Sequence, residues 1–216
     1  MKHWILALSF GFVAALPSAG RADPFYLPPF LDRAPEVGDR WGYAPEVFGT
    51  PFGGGIVIEV VEKSFVGDGW HFVVADTWEF PFPVVELPPV VWTEWFFRSD
   101  GSIWRGDIWV DGELSLDLTA PLLVIRELPR VGKRRPFGHL GWPKPVERRG
   151  WIRLASVDLV GPAQSPRSSY EVRLGDRTHH TVVAVYDPAL GRVAWTDRFG
   201  FDRTLVSATL GGVPYP

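Results

Sequence analysis

Across 216 residues the chain carries 22 basic and 25 acidic side chains, a balance that argues against a general polyanion binder and leaves nucleic acid out as a partner. It has no cysteine, which excludes disulfide staples and lipid attachment at an N-terminal Cys, so stability must come from packing. The packing material is unusual: 11 Trp, 15 Phe and 21 Pro, with no Asn, a single Gln and few Lys beside many Arg, a depletion of degradable side chains that fits a thermophilic source.

Residues 1–22 read as an export signal. Lys2 supplies the basic start, an apolar run extends from Trp4 to Leu16, and Gly20 and Ala22 provide small residues for cleavage after Ala22. The apolar run is too short for a spanning helix, and no later segment is long and apolar enough. Cleavage would remove Lys2 and Arg21 and leave 20 basic against 25 acidic side chains, in a periplasmic or extracellular protein. The expected layout is a Pro- and aromatic-rich arm over residues 23–36, one β domain over 37–212 and a short tail over 213–216. The arm is expected to pack its aromatics on the domain surface.

Asp-Gly pairs at 68–69, 100–101 and 111–112 predict three hairpins, because this dipeptide supplies the positive φ angles of tight turns. The first joins residues 56–65 to 70–78, the second 91–98 to 102–106, and the third 107–110 to 113–119. Residues 113–119 alternate strictly, which puts Leu114, Leu116 and Leu118 on one face of a half-buried strand. Residues 91–97 are apolar on both faces: Trp92 and Phe96 flank Glu94 on one, and Val91, Trp95 and Phe97 flank Thr93 on the other. Such a strand needs cover on both sides, from protein or from a bound ligand. Pro81, Pro83, Pro88 and Pro89 stiffen residues 80–90 into an extended connection or lid. Further strands are expected near 169–174, 178–186, 192–199 and 204–210, and no segment keeps a helical period. The fold class is therefore all-β, an antiparallel β-sandwich or a strongly curved sheet or partial barrel with very little helix.

One charge run opposes the acidic balance. Arg130, Lys133, Arg134, Arg135, Lys144, Arg148 and Arg149 face only Glu147 over residues 130–149, with Phe137, His139, Leu140 and Trp142 between them. A basic loop with a Trp suits an anionic envelope lipid or glycan. The candidate ligand-binding residues are accordingly Trp92, Trp95, Phe97, Arg134, Arg135 and Trp142. Catalytic and metal motifs are lacking: there is no nucleotide-binding loop, nucleophile elbow or zinc-helix signature. His179 and His180 are adjacent and so point to opposite faces of a strand, and Asp107, Asp111, Glu113 and Asp117 do not have calcium-loop spacing. No catalytic residue, metal or cofactor is assigned.

Two further stretches carry a resemblance. The segment Val37-Gly38-Asp39-Arg40-Trp41-Gly42-Tyr43 and the segment Tyr186-Asp187-Pro188-Ala189-Leu190-Gly191-Arg192-Val193-Ala194-Trp195, followed by Leu205 to Ala208, resemble a layout of uncharacterised bacterial envelope proteins and lipoproteins. Those open with a G-x-x-W-x-Y strand and close with a Y-x-P-x-x-G-x-V hairpin. The resemblance implies a curved antiparallel sheet or sandwich, with no activity or catalytic residues to carry over. This chain lacks the lipidated cysteine of the lipoprotein members. By their residues, both motifs punctuate strands, with Gly38 and Gly191 in turns and Trp41, Tyr43, Tyr186 and Trp195 in the core. The expected function is a non-catalytic envelope protein that binds an apolar or amphipathic ligand or a partner surface. A carbohydrate-binding module with exposed Trp rings is the alternative, and a hydrolase using His71, His179 or a carboxylate pair the second.

Overall fold

A computed structural model describes residues 27–47, 50–51, 55–79, 90–140, 147–160, 164–174, 181–196 and 202–215. The signal-like segment, Trp142, Lys144, His179, His180 and the prolines of 80–89 lie outside the described residues. Fifteen strands and no helix occur among those described: β1 (Arg40–Val47), β2 (Thr50–Pro51), β3 (Gly55–Val66), β4 (Gly69–Glu79), β5 (Val91–Arg98), β6 (Ile103–Val110), β7 (Glu113–Leu116), β8 (Leu122–Ile125), β9 (Arg134–Leu140), β10 (Glu147–Val160), β11 (Ser165–Arg173), β12 (Thr181–Asp187), β13 (Gly191–Thr196), β14 (Asp202–Leu210) and β15 (Val213–Tyr215).

The fold is all-β as expected, but it is a closed barrel and not a sandwich. Twelve strands follow one another in the order β1-β3-β4-β5-β6-β8-β9-β10-β11-β12-β13-β14, and β14 pairs back onto β1 from Arg40 opposite Thr209 to Glu46 opposite Asp202. Every strand pairing is antiparallel. A sandwich would need the sheet to break into two layers with free edges. Here bulges at Gly42/Tyr43, Val60/Glu62, Thr93/Trp95, Leu154/Ser156 and Val185/Tyr186 coil the strands enough for the sheet to meet itself.

Several strand expectations change in detail. Residues 103–110 form one strand, β6, where a break at Gly106/Asp107 was expected. Glu94 and Phe96 lie over Gly106, where a Cβ would come within 2.4 Å of the Glu94 carboxylate. The first hairpin turns at Gly67, with φ of 64°, instead of at Gly69, while Asp111 and Gly112 both take positive φ as predicted. Leu114 is exposed while Leu116 and Leu118 pack against buried residues. A register shift places Leu114 opposite the outward Trp109 and Leu116 opposite the inward Ile108, which defeats the single leucine face. The basic run of 130–149 is not one loop. Strand β9 runs through it, so Arg130 to Arg135 lie at one end of the barrel and Arg148 and Arg149 towards the other.

Alternation then fills the interior. Trp41, Tyr43, Ile56, Ile58, Val60, Phe72, Val74, Trp95, Ile103, Phe137, Ile152, Tyr170 and Val172 form one buried cluster. At one end the strands return through tight hairpins, and residues 27–31 enter as a plug. Phe30 is buried edge-on against Trp41, with ring centroids 5.7 Å apart, so it belongs to the core and not to the surface where the arm was expected to sit. At the other end, the loop end, β4 stops at Glu79, β9 at Leu140, β11 at Arg173 and β13 at Thr196. Mid-wall outward positions carry Glu94, Arg153 and Glu171, charges that a lipid-facing barrel wall does not tolerate at its midplane. Among the described residues no helix is long and apolar enough to cross a membrane.

Trp95 is almost wholly buried between β4 and β6. Trp95→Ala should lower the unfolding free energy by about 3–5 kcal/mol, as removal of a core aromatic generally does, in a urea titration followed by far-UV circular dichroism. A midpoint equal to that of the wild type would show that this position is not core.

Candidate functional site

The plugged end is shut by a hydrogen-bond lock centred on Arg192, which is buried. Its backbone N–H donates to Pro29 O (2.8 Å) and its Nη1 donates to Leu27 O (2.7 Å). Tyr186 Oη donates to Pro28 O (2.9 Å), so three consecutive carbonyls of the plug are held. Gly191 permits the close approach: its φ is 77°, and a Cβ there would stand 2.6 Å from Pro29 O. The same residues join the two motifs of the sequence. Trp41 Nε1 donates to Leu190 O (2.7 Å), Tyr43 Oη donates to Arg192 O (2.8 Å), and the Tyr43 and Trp195 rings meet edge-on at 4.5 Å.

Burial pushes the Tyr43 hydroxyl up to about 12, against the opposing pull of Arg192 and with a smaller upward push from Asp76. Burial raises Tyr186 as well. Asp76 thus lies within electrostatic reach of Tyr43, inside the barrel.

Above this lock, towards the loop end, the interior turns polar. Asp76, Thr93, His139 and Arg203 are buried there, and Arg105 is buried nearer the plugged end, two residues into β6. The register puts each on the inward face: Asp76 opposite Ile58 and Val91, Thr93 opposite Val74 and Ile108, Arg105 opposite Trp95 and Leu122, and Arg203 opposite Trp195. The His139 ring stacks on that of Phe137, and its Nδ1 is 3.1 Å from Leu140 O. Indole faces carry the cations. The Arg203 guanidinium lies 5.2 Å from the Trp78 ring and 5.8 Å from Trp195, Arg105 lies 5.7 Å from Trp95, and Arg192 lies 4.1 Å from Trp195. The barrel therefore combines apolar walls, flat aromatic faces, guanidinium groups and a carboxylate, a set suited to holding the acidic head and apolar body of one molecule.

The candidate residues read from the sequence are dispersed. Trp95 and Phe97 face the interior, with Phe97 packed on the core, whereas Trp92 is on the outer wall opposite Trp109. Arg134 lies over the outward Trp151 ring at 4.3 Å, and Arg135 pairs with Glu127 at 3.1 Å. Trp142 lies outside the described residues. The interior Asp76, Arg105, Arg192, Arg203 and His139 were not singled out by sequence reasoning as ligand residues. A signal existed for two of them: Asp76 keeps phase with Phe72, Val74 and Trp78, and Arg105 keeps phase with Ile103, so each is a charge on an otherwise apolar face.

His71 lies on the outer wall, with its Nδ1 3.4 Å from Ser64 Oγ and its Nε2 3.2 Å from Glu94 Oε1. Glu94 Oε2 also accepts the Asp107 N–H at 3.1 Å. Ser64 is exposed on an open sheet surface, and this group sits in no cleft. No group of three or more potential metal ligands occurs among the described residues. Asp107 and Asp111 of the acidic hairpin accept backbone N–H groups of Leu118 and Val90.

No family model and no curated protein matches the chain. Among solved structures, the crystal structure of a presumed exported protein with a YmcC-like fold from Bacteroides fragilis is similar over 84% of this chain and 97% of its own, at 9% sequence identity and a TM-score of 0.42. A likeness that distant carries no argument here about fold or function.

Tyr43 has a direct pH consequence. Its folded pKa, about 12, exceeds the ordinary value of 10.0, so its stabilising share is fully present below pH 10 and is lost as pH rises through the folded value. Two units correspond to about 3 kcal/mol. Unfolding free energy should fall between pH 10 and 12, and Tyr43→Phe should flatten that fall, measured by urea titration at each pH. Identical slopes for both proteins would contradict the assignment.

Proposed function

We propose that this is an exported, non-catalytic barrel that binds an amphipathic anion, with its apolar portion inside the barrel and its acidic group beside Arg203. Export rests on the signal-like residues 1–22. The observation that carries the binding reading is the stacking of the inward Arg203 guanidinium on Trp78 towards the end of the barrel opposite the plug. A ligand entering from the loop end would meet these groups above apolar walls and a closed floor. Acyl chains that end in a carboxylate or phosphate fit this chemistry. The residues assigned are Arg203 and His139 for the head group, with Trp78, Trp95, Trp195 and Phe97 lining the apolar part.

A carbohydrate-binding wall is the second reading. It is favoured by Trp92, Trp104 and Trp109, which share the outer face of β5 and β6 and are each half-buried. Sugar faces stack on such rings, and Glu94 lies between them to accept hydroxyls.

Titration of a saturated fatty acid against the mature protein, followed by tryptophan fluorescence, separates these readings. The acid should bind, and Arg203→Gln should weaken it by roughly tenfold to a hundredfold, the worth of a hydrogen bond to a charged group. The matching methyl ester should bind both proteins alike. Equal affinity of wild type and variant for the acid, or binding by neither, would remove the interior reading. Glycan binding lost on Trp109→Ala would install the other.

A further inference from the structure

We propose that the plugged end of the barrel docks on a bilayer containing anionic lipid, leaving the loop end turned away from the membrane. The first observation is where apolar side chains are left in water. Strand β10 continues to Val160 although its pairing with β9 ends at Arg153, and β11 starts at Ser165 although its pairing with β12 begins only at Ser168. The tip of this hairpin is thus a two-stranded ribbon with neither edge continued by a neighbour in the barrel. It carries Val157, Leu159 and Val160, and Leu159 is 62% exposed. The β3–β4 hairpin ends in Phe65, Val66 and Trp70, and Phe65 is 63% exposed. Apolar side chains on both faces of a projecting ribbon lose nothing in packing by leaving water, and each gains by burial elsewhere.

The second observation is their placement. In the ring, four strands separate β4 from β10 (β5, β6, β8, β9), and four separate β11 from β3 (β12, β13, β14, β1). The two tips therefore stand on opposite sides of the same end, flanking the plug. Two apolar points on opposite sides of the plug let this end rest across a flat surface.

Charge selects the surface. The segment from Arg126 to Arg134 beside β10 exposes Arg126, Arg130, Lys133 and Arg134, with the exposed Val131 between them. Gly132 N–H donates to Leu154 O at 2.9 Å, which fixes this segment to the base of the β10–β11 ribbon. Several carboxylates at the same end are engaged: Glu127 by Arg135, Asp68 by Arg98, Glu36 by Lys63, and Asp158 by the Ser156 hydroxyl, while Asp32 beside the plug is exposed. Lys63 also lies 4.4 Å from the Trp70 ring, so its charge sits where an aromatic enters the headgroup layer. Cations around apolar tips, on a chain with a negative overall balance, match an anionic bilayer better than an acidic protein face, which offers no hydrocarbon for the tips. This inference is independent of any ligand inside the barrel.

Co-sedimentation of the mature protein with vesicles of phosphatidylglycerol in phosphatidylcholine, at low salt, tests it. Wild type should bind these vesicles and not phosphatidylcholine alone. Phe65→Ser with Leu159→Ser, and separately Arg130→Glu with Lys133→Glu, should each weaken binding at least about tenfold. Both double variants change exposed positions, so their melting temperatures and their fatty-acid affinity should match the wild type. Failure of the wild type to sediment, or equal binding by wild type and variants, would overturn the proposal. So would a wild-type dimer in solution that Leu159→Ser converts to monomer, because the ribbon would then serve a second copy of the chain.

Discussion

The pairing of β14 with β1 is the constraint on which the rest of the structure depends. Once the sheet meets itself, every strand has one face turned into a closed space that no second layer can cover, and the chain must fill that space from within. Part of the filling comes from residues 27–31, whose carbonyls are held by Arg192 and Tyr186. The first strand and the β12–β13 hairpin are then tied through Trp41, Tyr43 and Leu190, so barrel closure and plugging share the same side chains. Cutting any one of the bonds from Arg192 or Tyr186 to the plug would leave a buried polar group on both the strand and the plug.

From that closure follows a division between the two ends. The plugged end spends its polar groups on internal bonds and leaves apolar tips outside. The loop end keeps Asp76, Thr93, His139 and Arg203 inside. Charges buried in an apolar barrel carry a desolvation cost, and stacking on indole faces offsets part of it. Leucine or isoleucine would fill the same space at no such cost, so the polar groups are better suited to a site than to filling alone.

Much of the fold was legible in the chain because period-two alternation and Asp-Gly turns act locally. Strand β5 was found with its limits at residues 91 and 98, and its two apolar faces are indeed an inner wall and an outer wall. The four core aromatics of the motifs, Trp41, Tyr43, Tyr186 and Trp195, are buried. What local patterns do not contain is closure. A strand of a sandwich and a strand of a barrel alternate alike, and the difference lies in bulges such as Val60/Glu62, which leave no composition signal. Strands β8 to β10 were missed because Arg130 to Arg149 read as a charge run, although Phe137 and His139 on one side of it face the core. The interior site was obscured for a related reason: Arg203 looks like any surface cation until its strand is set beside β13 and β1, where its side chain is turned inward.

The most direct test of an amphiphile held inside the barrel is methyl NMR of selectively labelled Ile, Leu and Val side chains during titration with a medium-chain fatty acid. The account predicts shifts at inward methyls near the loop end, such as Ile56, Ile108, Leu122 and Val182, and none at the outward Leu114 or at Leu159. Shifts confined to Leu114, Leu159 and other exposed methyls, with the interior unmoved at saturation, would contradict it.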